Sequence, residues 1–196
     1  LLAILEAGRD GYEPAEAPAT LAEADRALTR ADALYGAGDY PRAALAYREA
    51  LAAAPADWPA YERTVEALLF ALQREGENEA AARAALEAYP RLARSASAAN
   101  VAVTGLDCAL ALPADHPARR ELLAAHEANA REVADDLTMP VAADDRSSVF
   151  GTLIGLYHEA GDSAAARDMA ERWAGFLEGE AARATAVERF DAESVV

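Results

Sequence analysis

Along much of this chain the apolar residues recur three and four positions apart, the spacing of one face of a helix. The stretch ADALYGAGDYPRAALAYREALAAAP, residues 31–55, sets the pattern. Leu28, Ala31, Leu34 and Tyr35 share a face of a first helix. Gly36 and Gly38 end it, because glycine enters the left-handed turn conformation at no steric cost. Asp39 offers an N-cap carboxylate to a second helix, and Pro41 falls in its first turn, where a missing N–H is harmless. Ala43, Tyr47 and Ala50 follow at i, i+4 and i+7, two small residues that let a neighbouring helix approach and a tyrosine that fills the space beside them. Pro55 stops the helix.

The pattern returns in SSVFGTLIGLYHEAGDSAAARDMAERW. Phe150, Leu153 and Tyr157 form the first face, Gly161-Asp162 the turn, and Ala166 and Ala170 the second face. The interval from Leu34 to Ala43 equals that from Tyr157 to Ala166, nine residues in each. Between the two, Asp57 or Trp58 opens a helix carrying Tyr61, Val65, Leu68, Leu69 and Leu72 and ended by Gly76. Its partner runs from Ala80 to Tyr89 and is closed by Pro90. Ser95 or Ser97 starts a neutral helix that ends near Leu112 and reads as central and buried. Pro113 and Pro117 frame a turn, and 119–137 is an amphipathic helix with Leu122, Leu123, His126, Ala130 and Val133 inward, His126 half-buried. A separate closing helix is expected from Glu180 to Glu193.

These hairpins resemble the tetratricopeptide repeat, a 34-residue helix–turn–helix unit. Ala43, Tyr47 and Pro55 meet the second half of its signature, and Phe150, Leu153 and Tyr157 the first. Ala27 and Arg30 depart from it, standing where Trp and Leu are usual, and Ile154 replaces a small residue. The resemblance implies an all-α fold of antiparallel helical hairpins stacked as a short right-handed solenoid with an irregular middle pair. A compact bundle of the same helices is the alternative.

The resemblance also implies that the first helix of each pair lines a concave groove. Asp25, Leu28, Asp32 and Tyr35 would come from the first hairpin, and Glu62, Glu66, Leu69 and Phe70 from the second. Gly151, Gly155 and His158 would come from the last. Family members that clamp a C-terminal carboxylate use Lys, Asn and Arg at such places. Leu28 and Asp32 stand here instead, so the expected occupant is a basic or mixed protein segment. Glu62 and Glu66 repel each other four residues apart, by a few tenths of a kcal/mol. Either a basic partner or plain solvation accommodates that pair.

Charge narrows the choice of partner. Against 34 acidic residues stand 18 basic ones, all arginine, for a net charge of −16 and a pI near 4.5. Such a surface repels nucleic-acid backbones and anionic membranes. No uncharged apolar run is long enough to span a bilayer. Alanine exceeds a quarter of the residues, which favours helices and also accompanies GC-rich bacterial genomes. Cys108 is the single cysteine, in an apolar run, and is expected to be buried and inert.

Residues 1–19 read as a helix end, Leu1 to Leu5, followed by a linker of prolines and glutamates. Thr20 with Glu23 forms a capping box that opens a repeat domain of residues 20–196. A preceding domain is expected before Leu1.

Candidate chemistry is sparse. His116, His126 and His158 form no metal-ligand pair, and no nucleophile elbow, phosphate loop or dinucleotide fingerprint occurs. Asp135-Asp136 and Asp144-Asp145 are adjacent pairs whose side chains diverge on a helix, which suits capping. No catalytic residue, metal or cofactor is therefore expected in this chain. The expected function is protein binding, in a cytoplasmic or periplasmic setting. The alternative is a helical accessory domain of a larger enzyme, its missing catalytic part a thioredoxin-like oxidoreductase.

Overall fold

The structure is a computed structural model that describes residues 19–194. The helix end at Leu1–Leu5 and the linker after it lie outside these residues. Among the described residues there are eight helices and no strand. They are α1 (Ala19–Gly36), α2 (Tyr40–Ala53), α3 (Tyr61–Glu75), α4 (Asn78–Leu92), α5 (Ala98–Leu110), α6 (Arg119–Asp135), α7 (Ala143–Glu159) and α8 (Ser163–Ser194). Each packs on helices one or two places along the chain, with α3 on α5, α4 on α6 and α5 on α7 joining successive pairs. This is an all-α fold of helical hairpins in solenoid-like order, in which burial comes from stacking neighbours.

Three of the four hairpins close by one device. Gly38, Gly76 and Gly161 have φ of 77°, 82° and 72°. Each donates its N–H three residues back, to Tyr35, Gln73 or His158. The next residue donates five back, Asp39 to Leu34, Glu77 to Leu72 and Asp162 to Tyr157. This double bond satisfies the last carbonyls of the first helix and reverses the chain. Asp39 and Asp162 then cap the second helix through the amides of Arg42 (3.4 Å) and Ala165 (2.9 Å). The turns expected at Gly38, Gly76 and Gly161 are present.

The α5/α6 pair lacks that turn. His116 donates its amide to Pro113 and Arg119 to His116, and the Arg119 guanidinium reaches back to the carbonyl of Leu112 at 3.0 Å. What aligns these helices is a contact between their middles. Gly105 of α5 faces the ring of His126 of α6 so closely that a Cβ at 105 would lie 2.2 Å from the imidazole. His126 is fully buried, not half-buried, and its Nε2 lies 2.9 Å from the carbonyl of Ala82 on α4.

Several boundaries differ from expectation. Trp58 does not open α3; it sits in a preceding turn, where its indole donates to Asp25 of α1 at 2.9 Å. Pro90 does not close α4, which runs on to Leu92. A proline so near a helix end removes one N–H with little helix left to disrupt. No closing helix starts at Glu180, because α8 continues unbroken from Ser163. Gly175 and Gly179 lie inside it, since an isolated glycine weakens a helix without ending it.

Two apolar clusters form the interior. The first gathers α1 to α6 around Tyr47 and alanines such as Ala31, Ala43, Ala50 and Ala81, these alanines at 0 % exposure. The second gathers α3 to α8 around Leu106, Val133, Phe150 and Met169. Leu51, Tyr61, Ala84 and Leu123 touch both, so the core is continuous. Tyr47 and Tyr157 are buried as expected, and α5 is the central helix. Cys108 within it is buried, and burial pushes its thiol up to about 11.

A buried arginine is the least anticipated core residue. Arg146, 2 % exposed, donates to the carbonyls of Val133, Asp136 (3.1 Å) and Met139 (3.2 Å). Two of these carbonyls belong to the end of α6 and the residue after it, where the helix dipole favours a cation. Desolvation lowers its pKa from the ordinary arginine value.

Candidate partner-binding face

The first helices of the hairpins, α1, α3 and α5, are tied side by side at their exposed edges. Asp32 of α1 accepts from Arg63 of α3 at 2.8 Å. Glu66 of α3 accepts from Asn100 of α5 at 3.1 Å. Asp25 and Trp58 make a similar link lower down. The offsets between partners are 31, 34 and 33 residues. These offsets describe the ties alone; the first two hairpin turns, at Gly38 and Gly76, are 38 residues apart.

Glu62, Glu66 and Phe70 lie along one side of α3 at i, i+4 and i+8, with Phe70 41 % exposed. Leu69 does not join them. It is 1 % exposed, because Val65, Leu68, Leu69 and Leu72 make the i, i+3, i+4, i+7 stripe that faces the core. Leu28 is likewise buried. Asp32 is less free than a groove contact requires, since it also accepts from the buried hydroxyl of Tyr47 at 2.9 Å. Tyr35 is half-buried and meets Tyr40 edge-on, centroids 5.2 Å apart, across the glycine turn. His158 is exposed on α7 with Gly151 and Gly155, and no hydrogen bond or ion pair joins it to the α3 carboxylates among the described residues.

Three groups on this face were not anticipated from sequence. Arg63 and Asn100 are the cross-helix ties, and neither type signals such a role without its partner in view. Asp107 of α5 is exposed, yet enough protein surrounds it to raise its carboxyl above the ordinary value by desolvation.

The same chemistry recurs between helices away from this face. Tyr89 of α4 donates to the Asn129 carbonyl (3.1 Å) and to Glu132 (3.2 Å) of α6. Tyr157 of α7 donates to Glu127 at 2.8 Å and accepts from Arg131 at 2.7 Å. Burial raises the phenols of Tyr47, Tyr89 and Tyr157, that of Tyr157 to about 12. Among the described residues no helix is long and apolar enough to cross a membrane. No family model matches the chain, and neither a curated protein nor a solved structure is significantly similar to it.

Proposed function

We propose that this chain is a tetratricopeptide-like interaction module that holds a basic or mixed protein segment across α1, α3 and α5. One observation carries the reading. Glu62 and Glu66, half-buried on α3, and Asp107, exposed on α5, lie on successive first helices tied at offsets of 31 to 34 residues, with Phe70 exposed among them. The first two hairpin turns, at Gly38 and Gly76, lie 38 residues apart, somewhat longer than the 34-residue period of the repeat family. Parallel first helices at this spacing present a row of carboxylates to an extended chain. Their charges raise the association rate, and the aromatic ring supplies the contact that slows release.

The test is selection of ligands from a displayed peptide library, followed by titration. Enriched segments are expected to carry Arg or Lys next to an apolar residue. The change of Glu62 and Glu66 to Gln slows association and flattens its salt dependence, and Phe70→Ala speeds dissociation. Selected segments whose rates ignore Glu62, Glu66 and Phe70 would overturn the assignment of this face.

A further inference from the structure

A second surface lies mainly on the second helices of the first two hairpins, with α3 contributing to its floor. Between α2, α3 and α4 runs a cleft of about 540 Å³ with Leu51, Val65, Leu68 and Ala88 as its floor. Its rim carries Arg48, Arg83 and Arg91 and a single carboxylate, Glu87. A hollow of about 350 Å³ continues it past Arg48 and Ala80 to Leu45, which is 62 % exposed. Together they make one trough along α2.

The charge of this rim inverts that of the chain. In the cleft three arginines face one glutamate, whereas the whole sequence has 18 basic residues and 34 acidic ones; the hollow adds Glu75 and Glu77, so the arginines gather at the cleft end. The arginines differ in what already holds them. Arg91 lies 3.4 Å over the ring of Tyr61 and donates to the carbonyl of Ala56, so its guanidinium is fixed in place. Arg83 donates to Glu79 at 2.9 Å, one turn back on α4. Arg48 is exposed and makes no ion pair or hydrogen bond among the described residues. A guanidinium beside an apolar floor, with donors to spare, matches the planar fork of a carboxylate. A long polyanion does not fit the same place, because the rest of the chain repels it.

We propose that this trough binds a protein segment in which Asp or Glu residues are interspersed with aliphatic or aromatic ones. The apolar side chains rest on Leu45, Leu51 and Leu68, and the carboxylates pair with Arg48 and Arg83. Glu75 and Glu77 stand at the Leu45 end, which directs the carboxylates of the segment toward the arginine end. This site uses the opposite charge and, apart from α3, different helices from the α1/α3/α5 face, and its arginines lie on α2 and α4, so either can fail alone.

Fluorescence anisotropy on the full chain tests it with three labelled twelve-residue peptides: Leu and Phe among Glu and Asp, the same peptide with Gln and Asn for every carboxylate, and the same with Lys. The acidic peptide is expected to bind saturably and the amide peptide about tenfold more weakly. Changing Arg48 and Arg83 together to Gln removes the same factor, with circular dichroism verifying the fold, whereas changing Glu62 and Glu66 to Gln leaves this binding unchanged. Equal binding of the acidic and amide peptides overturns the proposal. So does acidic-peptide binding that ignores Arg48 and Arg83, an absence of saturable binding at millimolar peptide, or displacement of the peptide by decanoate at equal concentration, which would assign the trough to small amphiphiles.

Discussion

Two kinds of hairpin share this fold. The α1/α2, α3/α4 and α7/α8 pairs are joined by one glycine turn, whose left-handed residue and paired N–H bonds set the angle between the helices locally. The α5/α6 pair has a looser proline-framed connection and takes its alignment from Gly105 against His126, 21 residues apart in the sequence and in contact in space. A turn can be made by four residues acting alone. A register set by a glycine under an imidazole exists only after the two helices have met.

The largest effect is expected inside a glycine-turn hairpin, though not at its turn. Tyr47, 2 % exposed and bonded to Asp32, fills the space between α1 and α2. Tyr47→Ala should cost about 3–5 kcal/mol in urea unfolding. A loss under about 1 kcal/mol would mean that the turn alone holds the pair.

In the α5/α6 hairpin the sensitive position is Gly105. Gly105→Ala drives a methyl into the buried ring of His126 and should destabilise by about 3 kcal/mol. Gly151→Ala, on the open face of α7 with nothing within 4 Å of the new Cβ, should instead stabilise by up to about 1 kcal/mol. Similar effects from the two would erase the distinction between the hairpins.

Next come the turns. Gly38→Val and Gly161→Val place a β-branched residue at positive φ and should each cost about 2 kcal/mol. Neither site has a steric neighbour within 4 Å, so the loss would be backbone strain alone.

The smallest effect is a pH dependence special to the α5/α6 pair. Burial lowers the pKa of His126, opposed by its bond to the Ala82 carbonyl. The unfolded chain, with a histidine pKa near 6.5, takes up this proton first as pH falls. The contribution is therefore complete above about pH 6.5 and is lost below it, with a slope of at most about 1.4 kcal/mol per pH unit. Asp136 acts in a lower window. The Thr138 hydroxyl and amide, together with Arg94, hold it at about 2, so its contribution persists above the ordinary carboxylate range and goes as pH falls toward 2. Native-state NMR should find the His126 ring still neutral at pH values where the unfolded chain is charged. Titration of that ring at its ordinary value would show the α4–α5–α6 packing to be open to water.

How far each part could be read from sequence follows the same division. Gly38-Asp39 and Gly161-Asp162 carry their turns in adjacent residues, and the alanine-tyrosine spacing placed Tyr47 inside. Trp58 was misread because its partner, Asp25, is 33 residues away. The end of α4 was misread because the effect of Pro90 depends on how much helix follows it. Within the candidate face, Glu62, Glu66 and Phe70 were named through the family resemblance and lie on one side of α3, while Leu69, one position over, belongs to the core stripe. Nothing in the sequence around Arg146 signals its burial. The carbonyls that receive it come from the end of α6 and the residues after it, and no spacing rule connects them to position 146.

The position of α5 has a consequence for how the molecule comes apart. It touches α3, α4, α6 and α7, whereas α1 packs against little beyond α2. In a stack held by neighbours, fraying begins where neighbours are fewest. Opening should travel inward from both ends, and the amides of α5 should be the last to exchange with solvent.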